Sequence, residues 1–133
     1  MSYLPMAAGS AQLRILVVDD NHHTADGLGY ILRAKGYAVR VVYSVEEAVV
    51  TAEEFNPDAA ISEVAMSGMN GADLAIWLNA YHPACRLLLV SGQSDTAPPK
   101  DASPLQRYLN YLLPEPIDLP QLLHLMALGP AIA

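Results

Sequence analysis

Five short apolar runs recur along this chain, and amphipathic stretches separate them. The first, Arg14-Ile15-Leu16-Val17-Val18, is continuous and rich in branched side chains, the pattern of a strand buried on both faces. Residues 38–42, 59–63, 86–91 and 110–113 repeat it. Between the runs, apolar residues fall at helical spacing. Leu28, Ile31 and Leu32 stripe a first helix, although Gly27 and Gly29 weaken it. Val45, Ala48, Val49, Ala52 and Phe55 stripe a second, which opens with Ser44 and Glu47 at capping-box spacing. Leu74, Trp77, Leu78 and Tyr81 stripe a third. Leu119, Leu122, Leu123 and Met126 stripe the last, with Asp118 as N-cap and Pro120 in its first turn. Strand and helix in alternation predict an α/β fold: a parallel sheet with right-handed crossovers and helices on both faces.

That architecture also predicts where a site lies. In an open parallel sheet, ligands bind beyond the carboxyl ends of the strands, where the strand order reverses. Asp19 and Asp20 follow the first run, Glu63 ends the third and Ser91 ends the fourth. An acidic pocket at solvent-facing strand ends is expected on this ground alone. Other candidates are weaker. His22 and His23 are adjacent rather than four apart, so they read as a solvated loop and not as a metal pair. His82 and His124 are isolated and read as surface or helix-face residues. Cys85 is the single cysteine, which excludes an intrachain disulfide and reads as a small buried hydrophobe. Asp19-Asp20-Asn21-His22-His23 stands where a dinucleotide-binding chain would carry G-x-G-x-x-G.

Composition narrows the function classes. A chain of 133 residues suits one domain with a real core. With 53% apolar and 16% charged residues, disorder is excluded. A net charge of −7 disfavours binding to a nucleic-acid backbone. No apolar run approaches the roughly 20 residues that span a bilayer. The start, Met1-Ser2-Tyr3-Leu4-Pro5, lacks the basic and apolar regions of a secretory signal. A cytoplasmic location is the expectation. Residues 1–12 read as an N-terminal extension, 13–129 as the domain and 130–133 as a tail.

The stretch Pro57-Asp58-Ala59-Ala60-Ile61-Ser62-Glu63-Val64-Ala65-Met66-Ser67-Gly68-Met69-Asn70-Gly71 resembles the central motif of response-regulator receiver domains. Arg14 to Asp20 resembles that family's first strand and acidic pair. Lys35-Gly36-Tyr37-Ala38-Val39 resembles its entry into strand two. Leu87 to Gly92 resembles its fourth strand with a terminal hydroxyl, and Leu113-Pro114-Glu115-Pro116-Ile117-Asp118 its Lys-Pro signature. The resemblance implies a flavodoxin-like, doubly wound, five-stranded parallel sheet of order 2-1-3-4-5.

It also implies a chemistry that this chain has altered. Glu63 stands at the position of the family's phosphoacceptor Asp, and Glu115 at that of its Lys. The implied Mg²⁺ ligands are Asp20, Glu63 and the carbonyl of Ala65, with Asp19 acting through water. Glu63 is longer than Asp by about 1.5 Å. It displaces the ion, leaving weak Mg²⁺ binding, or fills the phosphoryl position, or turns aside and bonds locally. Glu115 would join Asp19, Asp20 and Glu63 in a pocket of like charges, where a proton or a cation would be held. Without the Lys, phosphoryl transfer loses a stabilising cation. Ser67 replaces the usual Pro, and Leu112 falls at the switch aromatic, with Tyr111 one residue away. Ser91 keeps the switch hydroxyl and reads here as a strand-end residue. Pro98 and Pro99 interrupt the fourth helix, leaving a surface loop to Ala102 and a short helix capped by Ser103 with Pro104 at its first position.

The expectation is an atypical receiver that acts by protein–protein contact without phosphorylation, and is not an enzyme. Its implied partners are a histidine kinase, a downstream effector or a second copy, met through the fourth helix, fifth strand and fifth helix. Neither nucleic acid nor membrane is expected as a partner. Because the sequence stops soon after the last helix, no output domain is expected. One alternative is a phosphate-controlled switch using Glu63 or a neighbouring Asp. The other is a small metal-dependent enzyme built on the acidic cluster.

Overall fold

The computed structural model describes residues 12–91, 112–114 and 117–127. In chain order the elements are β1 (Arg14–Val18), α1 (His22–Ala34), β2 (Ala38–Val42), α2 (Val45–Phe55), β3 (Ala59–Glu63), α3 (Gly71–Tyr81), β4 (Arg86–Ser91), β5 (Leu112–Pro114) and α4 (Leu119–Ala127). The strands form one sheet in the order β2-β1-β3-β4-β5, and every pairing is parallel. This is the expected doubly wound order. The first four strands keep the bounds read from the sequence. The fifth is Leu112–Pro114 rather than 110–113, and residues 110 and 111 lie outside the described residues. So do residues 92–109, with Pro98, Pro99 and the expected short helix, and α4 corresponds to the expected fifth helix.

The apolar runs of the central strands reflect helices on both sheet faces, whereas the edge strand β2 carries the exposed Arg40. Leu16 and Val18 of β1 face one core, packed with Val45, Ala48, Leu74 and Leu78 from α2 and α3. Ile15 and Val17 face the other, with Ala25, Leu28 and Leu32 of α1 and Leu122 of α4. Full burial of one such side chain contributes about 1.5–3 kcal/mol. Leu16, Leu32, Leu74 and Leu122 reach it at 0% exposure.

Two stripe residues face outward instead of inward. Ile31 is 39% exposed and Tyr81 is 67% exposed. Ala25 and Gly29 complete the inner face of α1, and Ala75 that of α3. Small residues win these places because the helices lie close on the sheet. At Gly29 an added Cβ would stand 2.6 Å from Val41 Cγ2, so bare backbone is what lets α1 approach β2.

Local capping sets the helix starts. Ser44 Oγ accepts from the Glu47 N–H at 3.1 Å, as its position predicts. Glu47 Oε1 accepts from Tyr43 N–H at 2.8 Å, one residue earlier than a reciprocal box requires. A full capping box joins Asn70 and Asp73 at the start of α3, a pair the sequence reading passed over. Asp118 Oδ1 accepts from Gln121 N–H at 3.3 Å, in the expected N-cap role. Among the described residues, no helix is long and apolar enough to cross a membrane.

Candidate functional site

β1 and β3 are neighbours in register, Val18 beside Ser62, so the residues after them emerge at the same end of the sheet. That places Asp19 and Asp20 at the end where Glu63 closes β3. β4 runs alongside, with Val90 opposite Glu63. The structure therefore gathers the acidic residues as the topology predicts. It corrects their setting, however. Asp19 and Glu63 are each only 8% exposed, not solvent-facing. Both line a narrow cleft whose walls include Val17, Leu28, Ile61, Val90 and Ile117. Glu115 and the side chain of Ser91 lie outside the described residues.

Each carboxylate accepts from backbone N–H groups, those of Asp19 and Glu63 from their own chain neighbours and that of Asp20 from a distant loop. Asp19 Oδ1 accepts from Asn21 N–H at 2.9 Å. Burial nonetheless raises the Asp19 pKa above its ordinary value; the Asn21 bond opposes the shift and the Asp20 charge adds to it. Asn21 in turn caps α1, its Oδ1 accepting from Thr24 N–H at 3.1 Å. Glu63 Oε2 accepts from Val64 N–H at 3.1 Å and Ala65 N–H at 3.4 Å. The longer side chain thus makes contacts with the backbone that directly follows it. Asp20 Oδ2 accepts from Ser67 N–H at 3.1 Å and lies 3.4 Å from Ser67 Oγ.

This arrangement bears on the implied ion. Mg²⁺ requires near-octahedral oxygens aimed at one point. Here Asp19 is drawn to the N–H of Asn21, while Asp20 and Glu63 are drawn to different N–H groups of the loop after β3, those of Ser67 and of Val64 and Ala65. Among the described residues, no group of three or more His, Cys, Asp or Glu side chains stands as metal ligands would. As placed, the described side chains do not fit the ion.

The remaining candidates resolve as follows. His22 and His23 open α1 rather than a loop, and both are exposed. The His22 ring stacks on Tyr43 at 3.7 Å, while Tyr43 Oη donates to Asp26 Oδ1 at 2.6 Å, a bond that raises the Tyr43 pKa. His82 ends α3, its Nε2 3.1 Å from Glu53 Oε2 and its ring against Trp77. His124 is exposed on α4. Cys85 is buried as expected, and burial pushes its thiol to about 12, far from a reactive thiolate. The residue that sequence reasoning undervalued is Ser67. Its signal was available: Pro has no N–H, so a Ser at that position adds two donors to the pocket.

The family described as response regulator receiver domain matches residues 15–127. The DNA-binding response regulator MtrA of Mycolicibacterium smegmatis is 31% identical over 83 residues, 62% of this chain and 36% of that protein. A response regulator receiver protein of Anaeromyxobacter sp. is 30% identical over 112 residues, 84% of this chain and 46% of that protein. This chain thus spans about a third to under a half of the length of these two relatives. The crystal structure of a response regulator receiver protein from Pseudomonas putida superimposes with a TM-score of 0.76 at 26% identity, covering 90% of this chain and 98% of that one. A CheY-like receiver domain protein from Methanospirillum hungatei shares the fold, with a TM-score of 0.77 at 21% identity over 88% of this chain and 92% of that one.

Proposed function

Because this chain belongs to the response regulator receiver domain family, a module of two-component signalling, we propose that it acts through protein–protein contact and without a phosphoryl group on residue 63. The observation that carries this reading is the Glu63 carboxylate, whose Oε2 accepts from the Ala65 N–H and from the Val64 N–H, the latter shared with Val90 O. An oxygen held by two donors is a weaker nucleophile, and here it is turned onto its own backbone. The sequence adds a second obstacle. Where the family carries a Lys that offsets phosphoryl charge, this chain has Glu115. The proposed receiver unit is 13–129. Its proposed partners are a histidine kinase or a downstream effector, or a second copy met through the half of the domain after β4.

The test is intact-mass measurement after incubation with a small-molecule phosphodonor and Mg²⁺. The wild-type chain should gain no phosphoryl mass. Glu63→Asp restores an acceptor of family length but leaves Glu115, and Glu115→Lys restores the cation but leaves the long, self-engaged acceptor. The two positions act on one reaction, so the double variant should gain phosphorylation well beyond the sum of the singles. A wild-type adduct that disappears in Glu63→Ala would refute the proposal. A folded double variant that stays inert would show that these two residues are not what blocks the chemistry.

A further inference from the structure

Asp20 and Ser67 are 47 positions apart in sequence and meet where the turn after β1 faces the loop after β3. Loop 64–70, which carries Ser67, is already anchored at both ends. Val64 N–H donates to Val90 O at 2.9 Å, and Gly71 N–H donates back to Val64 O at 2.9 Å. Asn70 is fixed by its capping box with Asp73. Between these anchors the backbone turns through Gly68, at φ 76°. Ser67 is the mid-loop residue that reaches across to the turn after β1, and it does so with both of its donors on one carboxylate oxygen.

We propose that Ser67 and Asp20 form a latch that takes the place of a cation. The Ser67 N–H at 3.1 Å is the main contact, and the hydroxyl at 3.4 Å adds a longer one. Together they hold loop 64–70 against the turn at residues 19–21 and occupy the oxygen that an incoming divalent ion would need. The latch must open before such an ion reaches Asp20. It depends on the residue this chain carries at position 67, since a proline there has neither an N–H nor a hydroxyl. The self-engaged Glu63 is consistent with it. Both carboxylates are satisfied by loop donors, and the pocket closes on itself. The latch stands on the Asp20–Ser67 contacts alone, and its test does not read phosphorylation, so it can fail or hold separately from the function proposed above.

The experiment uses the full chain, isotopically labelled, with amide resonances as the readout and Mg²⁺ alone as the probe. Amide hydrogen exchange at Ser67 should be at least roughly tenfold slower in the wild type than in Asp20→Ala, which removes the acceptor. In Mg²⁺ titrations followed at Asn21 and residue-20 amides, Ser67→Pro should bind roughly tenfold more tightly than wild type, because the ion no longer displaces two charge-assisted bonds. Ser67→Ala keeps the N–H and should fall between. Circular dichroism checks folding. If Ser67→Pro fails to fold, Ser67→Ala and the exchange comparison decide the matter. Equal exchange in wild type and Asp20→Ala would overturn the latch. So would equal Mg²⁺ response, including none, in wild type and the folded Ser67 variants.

Discussion

Gly27 and Gly29 lie two residues apart on α1, and the same substitution should move stability in opposite directions. A Cβ at Gly27 meets nothing within 4 Å. Glycine in a helix interior costs about 1 kcal/mol relative to alanine, so Gly27→Ala should stabilise the fold by about 0.5–1 kcal/mol. The same helical gain is available at Gly29, but there the new methyl would stand 2.6 Å from Val41 Cγ2. Carbon atoms rest at about 3.5–4.0 Å, so a gap of roughly 1 Å must open. Val41 is β-branched, and turning it off its rotamer costs about 0.5–1.5 kcal/mol. The other route is to lift α1 away from β2, which loosens the seats of Ala25, Leu28 and Leu32. Overpacking of this kind costs about 1–3 kcal/mol. The cost exceeds the gain, so Gly29→Ala should destabilise by about 1 kcal/mol, separating the two variants by about 2 kcal/mol. Urea denaturation followed by circular dichroism measures this as a shift in midpoint at constant slope. If Gly29→Ala is as stable as Gly27→Ala, the close approach of α1 to β2 is not a constraint.

Two further outcomes follow from the buried groups near the sheet. Asp19 has its pKa raised above 3.8 by burial, so its favourable contribution is present below 3.8 and is lost as pH rises through the folded value; Asp19→Asn should therefore be more stable than wild type at neutral pH, with the advantage vanishing in urea titrations below 3.8. Cys85, with its thiol pushed to about 12, should resist iodoacetamide at pH near 8 in the native chain and react once denaturant exposes it; rapid native labelling would contradict its burial.

Much of the fold was legible in the chain. β1 to β4 keep the bounds read from their apolar runs, because apolar residues fill the strand positions that helices cover; the polar ones sit at or near strand ends, as Arg14, Glu63 and Arg86 do, or face outward on the edge strand, as Arg40 does. Their parallel order was implied by the alternation with helices and by the family likeness. Helix faces were less legible. Ile31 and Tyr81 belong to apolar stripes and still face outward, since periodicity gives the spacing of a face but not the few tens of degrees by which a helix rolls when it docks. The Asn70–Asp73 box was missed because its residue types depart from the usual Ser/Thr and Glu/Gln pair.

The sequence by itself determined the positions of the first four strands, the helix starts at Ser44 and Asp118, and the gathering of Asp19, Asp20 and Glu63 at one end of the sheet. It also identified Glu63 and Ser67 as departures from the family pattern. Only the tertiary structure decided what those departures do. Which contacts Glu63 makes depends on the N–H groups the β3–α3 loop presents, among them those of Val64 and Ala65. Ser67 acquires a role only because that loop passes the turn after β1, bringing together residues 47 positions apart. Gly27 and Gly29 look alike in sequence and differ because only one faces a strand. Chain order carries burial pattern and local capping, which depend on near neighbours. Hydrogen-bond choice and steric clearance depend on distances between segments, which exist only once the segments have packed.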